Sequence, residues 1–280
     1  MAVILGIDVG GSTTKIVGIE NGKLKSPLFI TATDPVTSLF GAFGKYLYDN
    51  QFNLEDIEQI ILTGVGSAYI NTPLYGRPTA KTDEFIANAL GAKYQSGLDR
   101  LIAVSMGTGT SFIQIEGDAI KHLGGTGIGG GTLQGLSRLM LKSHDIHQVV
   151  ELAKDGDIAN INLQIKDICN QPLPNLPLEA TASNFGKAES NAPEKDIATG
   201  IVYLVLQAIG SAAHLAGLNS GIKDYALIGN LSTLPQCREI FNGMEALYGI
   251  RFYIPPYSEY RTALGAALSY INRQKGLIPL

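Results

Sequence analysis

Residues 4–20 read ILGIDVGGSTTKIVGIE, and residues 101–116 read LIAVSMGTGTSFIQIE. Each segment is an apolar run, a turn of small residues, then a second apolar run that closes on Glu. The turns are DVGGSTT (8–14) and SMGTGTS (105–111). Both segments read as β-hairpins with glycine-rich tips. The same device opening each half points to a duplicated α/β architecture of two lobes, 1–97 and 98–280.

The flanking sequence reads in the same rhythm. Residues 25–31 form a third strand after the Asn21-Gly22 turn. Asp34 caps a helix with Pro35 at its first position, and Val36, Leu39, Phe40, Phe43 and Leu47 form its core-facing stripe. Residues 57–62 are a short strand, and Thr82 or Asp83 caps a helix carrying Phe85, Ile86, Ala89 and Leu90. In the second half, 119–123 is a third strand and 124–131 a glycine-rich loop. Helices follow over 132–141 and 145–154, and PLPNLP (172–177) marks a loop. Then come an apolar helix near 195–218, a strand over 225–228, a helix over 233–248 and a strand over 251–254. A closing helix over 257–272 is expected to cross back to the first lobe. Strands in threes followed by helices fit two sheets facing a cleft.

Composition narrows the function. Of 280 residues, 45% are apolar, which allows a sizeable core, and the net charge is −4. With no basic run, such a chain is a poor nucleic-acid binder. Cys169 and Cys237 stand outside any CxxC or Cys/His cluster, which fits a reducing compartment. The start, MAVILGIDVGG, lacks a basic segment and a cleavage site, so a cytoplasmic location is expected. Residues 197–218 approach the length and apolarity of a membrane span. Gln207, His214, several glycines and the lack of an aromatic belt beyond Tyr203 favour a buried core helix and no membrane partner.

The glycine-rich turns carry the chemistry. Gly10 and Gly11 leave backbone N–H groups free to approach a phosphate, Ser12, Thr13 and Thr14 add hydroxyls, and Lys15 adds a charge. Asp8, at the strand end, can hold Mg²⁺ directly or through water. The plainer alternative is a tight turn after an Asp. Against it, Gly107–Ser111 repeats the device, and Gly124–Thr132 adds a third loop that opens a helix, a further anion site. Gly229-Asn230 follows the strand ending at Ile228, a suitable adenine-facing turn. No GxxxxGK[ST] loop is present. Gly125, Gly127 and Gly130 spell GxGxxG, but no acidic ribose partner follows at the right distance, so the match is coincidental.

Taken together, these segments resemble the phosphate and adenosine motifs of the acetate-kinase/hsc70/actin/sugar-kinase superfamily. More narrowly, the chain resembles the type II pantothenate kinases. The carrying segments are GIDVGGSTTKIV (6–17), EF-A (84, 85 and 87), VSMGTGTS (104–111), GGTGIGGGTLQGL (124–136), TASNFGK (181–187) and IGN (228–230). They span essentially the whole chain. The resemblance implies a two-lobed actin/hexokinase-like (ribonuclease H-like) α/β fold with a nucleotide cleft between the lobes. It also implies a homodimer, Mg²⁺ and ATP, and phosphorylation of pantothenate at its primary hydroxyl, the first step towards coenzyme A.

It further implies residue roles. Glu84 falls at the general base, with Asp83 as its neighbour and rival. Read on its own, Glu84 is a helix-start carboxylate favoured by the helix dipole. ATP is expected on Asp8, Gly10, Gly11, Ser12, Thr13, Lys15, Thr108, Gly109, Gly229 and Asn230, and on the stretch Gly129, Gly130, Gly131, Thr132, Leu133 and Gln134. Pantothenate is expected near Ser105, Thr108, Ser111, His122, Asn184 and Phe185. His122 is a departure, because the family carries an Arg there for the substrate carboxylate. Either Lys121 or Arg138 substitutes, or a protonated His122 serves, or the substrate differs; a strand-end histidine with a structural hydrogen bond is the plain alternative. Asn184 and Phe185 read equally well as a connector between helices. Two other functions stay open: a sugar kinase of the same superfamily, and an ATPase that activates a partner enzyme through a metal cluster.

Overall fold

The computed structural model describes residues 2–11, 13–31, 34–169, 171 and 176–276. Ser12 and residues 172–175 of the PLPNLP loop lie outside the described residues.

The first sheet is built from β1 (Val3–Val9), β2 (Thr13–Glu20), β3 (Lys23–Leu24), β4 (Leu28–Thr31), β5 (Ile57–Thr63) and β6 (Thr79–Lys81). β1 pairs antiparallel with β2 and parallel with β5, in the order β3-β2-β1-β5-β6, with β4 also on β2. The expected strand over 25–31 is thus shortened to Leu28–Thr31, and a separate short strand precedes it. The Asn21-Gly22 turn takes positive φ at both residues, returns β3 along β2, and β4 re-pairs beyond it. α1 (Pro35–Asn50) starts where Asp34 accepts a 2.7 Å hydrogen bond from the Thr37 N–H. Its buried face is Leu39, Ala42, Phe43 and Tyr46, while Val36 at the first turn is 37% exposed. Val36 therefore leaves the expected stripe.

β1 is covered on both sides. Val3, Leu5, Ile7 and Val9 join α1 in one core, as period-two alternation requires. On the other face Gly6 lets the last helix touch the sheet: a Cβ there would lie 1.9 Å from the Ala263 carbonyl oxygen.

The second sheet holds β7 (Arg100–Met106), β8 (Thr110–Glu116), β9 (Ala119–Thr126), β12 (Asp224–Ile228) and β13 (Arg251–Tyr253), in the order β13-β12-β7-β8-β9. A hairpin with a third antiparallel strand on one side and two parallel strands on the other repeats the first sheet's plan. β9 runs further than expected, through Gly124 and Gly125 to Thr126, because the β8 ladder supplies the hydrogen bonds that glycine alone would not favour. α3 (Gly130–Met140) and α4 (Ile146–Leu152) follow, then the small β10 (Leu163–Gln164), α5 (Ile165–Ile168) and β11 (Thr181–Ser183).

α6 (Glu194–Gly217) is the one described helix long and apolar enough to cross a membrane. Here its apolar face, including Ile201, Val202, Val205, Leu206 and Ile209, packs in the largest core with Ile102, Val104, Met106 and Phe112 of the second sheet. α7 (Cys237–Tyr248) joins the same core and starts later than position 233, because residues 230–233 form a 3-10 turn.

α2 (Glu84–Lys93) and α8 (Arg261–Gln274) lie between the sheets. α2 covers Leu101, Ala103, Ile113 and Ile115 with Ala89 and Ala92, and α8 covers Val17 and Ile19 with Ala263, Leu264 and Ala267. The two helices cross at glycines. A Cβ at Gly91 would lie 1.9 Å from the Arg261 carbonyl oxygen, and one at Gly265 would lie 1.7 Å from that of Ala87.

Candidate active site

A cleft of about 580 Å³ opens where the two hairpin tips meet. From the first tip it is lined by Asp8, Gly10, Gly11, Thr13 and Lys15. From the second it is lined by Ser105, Thr108, Gly109 and Ser111, with Gly229 and Asn230 from the turn after β12. Glu84, at the first position of α2, closes the list of expected residues that converge there.

The charges are few and buried. The Lys15 Nζ stands 3.8 Å from Asp8 Oδ2, with both side chains largely shielded from solvent. Burial raises the Asp8 carboxyl against the pull of Lys15, and burial lowers the Lys15 ammonium against Asp8, Glu259 and Glu84. Each group is displaced away from its charged form, so at 3.8 Å the pair does not offset its own desolvation.

Burial also pushes the Glu84 carboxyl up to about 6, helped by Asp8 and Asp83 and opposed by Lys15. Asp83 differs in kind. Its Oδ1 accepts from the Phe85 N–H at 2.8 Å and the Ile86 N–H at 3.1 Å, so it is the helix cap. Of two adjacent carboxylates, one is committed to the backbone and the other faces the cleft with its proton affinity raised.

The third glycine loop packs against the second hairpin tip. The Gly130 N–H donates to the Gly107 carbonyl at 2.8 Å and the Gly131 N–H to that of Thr108 at 2.9 Å. A Cβ at Gly129 would lie 2.4 Å from the Thr108 carbonyl oxygen. These glycines let the helix start press against the second hairpin tip, and their N–H groups are already committed. Thr132 Oγ1 donates to the Gly127 carbonyl at 2.9 Å. Leu133 is fully buried in the core, and Gln134 does not line the cleft. Gly129–Gln134 thus stand outside the cleft lining, whereas Gly125, Thr126 and Gly127 just upstream line it.

His122 also stands outside the lining: its ring lies on that of Phe85, centroids 3.9 Å apart and planes 13° apart. Lys121 and Arg138 are exposed and likewise do not line the cleft. Asn184 and Phe185 are held elsewhere by one buried side chain. Asn162 donates to Asn184 Oδ1 at 3.0 Å and accepts from the Phe185 N–H at 3.0 Å. The Phe185 ring packs beside Gly200 of α6, and neither residue lines the cleft.

Three contributors lie outside every segment singled out in the sequence as a site: Gly64, Val65 and Thr262. Gly64 was the most accessible of these, since Thr63-Gly64 ends β5 beside Asp8 as Asp8-Val9-Gly10 ends β1. Asn230 offers an acceptor that fits a nucleotide. Its Oδ1 is buried and has no hydrogen-bond partner, and such an atom fits a donor on a nucleotide. The lone Asp8 carboxylate at the hairpin end suits Mg²⁺ carried by phosphates and water rather than caged by protein.

Comparison with known proteins agrees with this arrangement. A family described as Fumble matches residues 92–237. A type II pantothenate kinase of Staphylococcus haemolyticus is 30% identical over 96% of this chain and 99% of its own. The chain belongs to the type II pantothenate kinase family. A second member, from Bacillus cereus strain ATCC 14579, is 29% identical over 92% of this chain and 90% of its own. Among solved structures, the activator of the 2-hydroxyisocaproyl-CoA dehydratase from Clostridium difficile, with bound ADPNP, superposes with a TM-score of 0.70. It shares 16% identity over 99% of both chains. A ROK hexokinase from Thermus thermophilus gives 0.56, at 14% identity over 97% of this chain and 99% of its own. At these identities the likeness concerns the fold, which is that of the actin/hexokinase-like ATPases, as expected for a type II pantothenate kinase.

Proposed function

We propose that the protein transfers the γ-phosphoryl group of ATP to the primary hydroxyl of pantothenate, giving 4'-phosphopantothenate at the first step of coenzyme A biosynthesis. Family membership supports the substrate. The observation that carries the chemistry is Glu84, a carboxylate facing the cleft, poised near 6 and beside the phosphate-binding hairpin. A base of that proton affinity is ionised at neutral pH and still accepts a proton usefully.

In this reading the hairpin tips clamp the triphosphate through the N–H groups of Gly11, Thr108 and Gly109 and the hydroxyl of Thr13, while the Gly10 N–H closes the first tip on the Thr13 carbonyl at 2.9 Å. Ser12 is proposed for the same task. Gly229 and Asn230 receive the adenosine end, while Ser105, Thr108 and Ser111 orient the acceptor. Asp8 would hold Mg²⁺, which would supply charge stabilisation to the β- and γ-phosphates, and Lys15 adds a fixed cation. Glu84 takes the hydroxyl proton as its oxygen bonds to the γ-phosphorus, and the bond to the β–γ bridging oxygen breaks to release ADP. Orientation and fixed dipoles supply most of the acceleration. Closure of lobes 1–97 and 98–280 excludes water. A cytoplasmic homodimer with no membrane or nucleic-acid partner completes the proposal.

The test is purified protein with Mg²⁺ and ATP, offered pantothenate, pantetheine and a panel of sugars, with ADP release and product mass recorded. Pantothenate- or pantetheine-dependent ADP is the expected result. Phosphorylation of a sugar alone would replace the acceptor. Acceptor-independent ATPase with protein-bound iron would point to the activator function instead, although Cys237 is fully buried and burial pushes its thiol up to about 12.

A further inference from the structure

His122 is placed by a defect in its strand. Along β8, Ser111 and Ile113 share one face of the sheet, and their partners on β9 are Gly125 and His122. In a regular ladder those partners would be two residues apart; here they are three apart, because the register shifts between Phe112 and Ile113. The extra residue is taken up at Leu123 and Gly124, with Leu123 turned into the core on the opposite side of the sheet. Without the bulge, Leu123 would pair with Ile113 and occupy the face under α2. The bulge puts the flat polar ring of His122, a solvent-exposed residue, at that position.

The ring meets Phe85 almost parallel, at 3.9 Å. Phe85 directly follows Glu84 in the first turn of α2 and itself lines the cleft. Among the described residues, the imidazole makes no hydrogen bond and no ion pair; the stack is its contact with α2. The Asp83 cap also ties that turn, and Ala87 at its end is buried against Ile61 and Ala266.

We propose that His122 is a positioning residue: its stack on Phe85 holds the first turn of α2 and so keeps Glu84 aimed into the cleft. This role rests on the kinase reading for its kinetic consequence, but the placement of Glu84 can be measured without turnover.

The experiment compares full-length wild type, His122→Ala and His122→Phe. The phenyl ring can stack on Phe85 and cannot hydrogen-bond a carboxylate. In His122→Ala, kcat is expected to fall about 10-fold, as for modest loss of orientation, with KM for pantothenate and ATP nearly unchanged. The acid limb of the pH profile should move from about 6 towards the ordinary Glu value as water reaches the carboxylate. His122→Phe should restore both. Asp8 and Lys15 from the first hairpin and Asp83 from its own helix act on Glu84, and none is altered in these variants. Independently of any acceptor, NMR titration of ¹³C-labelled glutamate carboxyls, with Glu84 assigned by its Gln variant, should show the same downward move in His122→Ala. Two results would overturn the proposal. One is an unmoved Glu84 titration in His122→Ala. The other is His122→Phe failing like His122→Ala with a raised KM for pantothenate, which would make the imidazole a direct substrate contact. Absence of wild-type turnover with pantothenate would instead reject the substrate while leaving the titration to judge the stack.

Discussion

Gly64 stands so close to Asp8 that a Cβ on it would lie 2.5 Å from the Asp8 Oδ1 and 2.6 Å from the Val9 carbonyl oxygen. Its φ of 83° adds strain for any other residue. A methyl group there must displace the carboxylate or the strand end. Gly64→Ala is therefore expected to lower kcat about 100-fold, the cost of an ångström of misplacement at a reacting centre. Steady-state kinetics and a thermal melt check this together. Near-wild-type turnover would show that the position of Asp8 is not critical.

Glu84→Gln separates chemistry from stability. Turnover should fall at least 100-fold, since a general base is lost, while nucleotide binding measured by calorimetry is kept. Stability should move the opposite way. The folded Glu84 binds its proton more tightly than an ordinary Glu, at about 6 against 4.5. The native state thus holds more protons than the unfolded chain between those values, so stability falls as pH rises through that window and the penalty persists above it. Gln carries no such penalty, and at pH 7.5 the variant should be more stable by on the order of 2 kcal/mol. Urea unfolding at pH 7.5 and at pH 4 checks it, the gain vanishing at the lower pH.

Asp83 should behave as a cap and not as a base. Asn caps as well as Asp, so Asp83→Asn should keep turnover within about 3-fold and most of the stability. Asp83→Ala should lose about 1 kcal/mol. Removing the Asp83 charge should also lower the acid limb slightly, because Asp83 helps raise Glu84. Loss of turnover in Asp83→Asn with a normal melt would hand the base role to Asp83.

These two carboxylates show where sequence reading stops. Both sit at a helix start, and only the cap geometry separates them. The hairpin tips were legible because their signal is local: apolar runs, then glycines, then β-branched residues. The Asp34-Pro35 helix start was legible for the same reason. β6 was not, since Thr79–Lys81 is three residues long and mostly exposed. The packing role of the glycine loop was not legible, because its glycines press on Gly107 and Thr108 through contacts far apart in sequence. Asn184, Phe185 and His122 are placed by a buried Asn162 and a strand bulge, which no local pattern announces.

The crossing of α2 and α8 joins the two halves of the site mechanically. α2 begins with Glu84, and α8 packs on the β1 strand that ends beside Asp8. At Gly265 the separation is set by backbone, with the Ala87 carbonyl 1.7 Å from where a Cβ would stand. The crossing is tied further by the buried Arg261, whose guanidinium donates to the Tyr94 carbonyl at 2.7 Å and the Gly91 carbonyl at 3.1 Å. Neither carbonyl can move aside without unwinding the end of α2. Gly265→Ala must therefore part the helices, stretching these bonds and moving Glu84 away from Asp8. A loss of about 3 kcal/mol is expected, at the upper end for overpacking, with kcat reduced in the fraction that folds. Gly44→Ala is the control. Gly44 is exposed within α1 with nothing within 4 Å of a Cβ, so the change should stabilise by about 1 kcal/mol through helix propensity and leave kcat alone. Equal effects at the two positions, read by chemical denaturation and kinetics on the same preparations, would mean that the helix crossing does not govern the spacing of the catalytic groups.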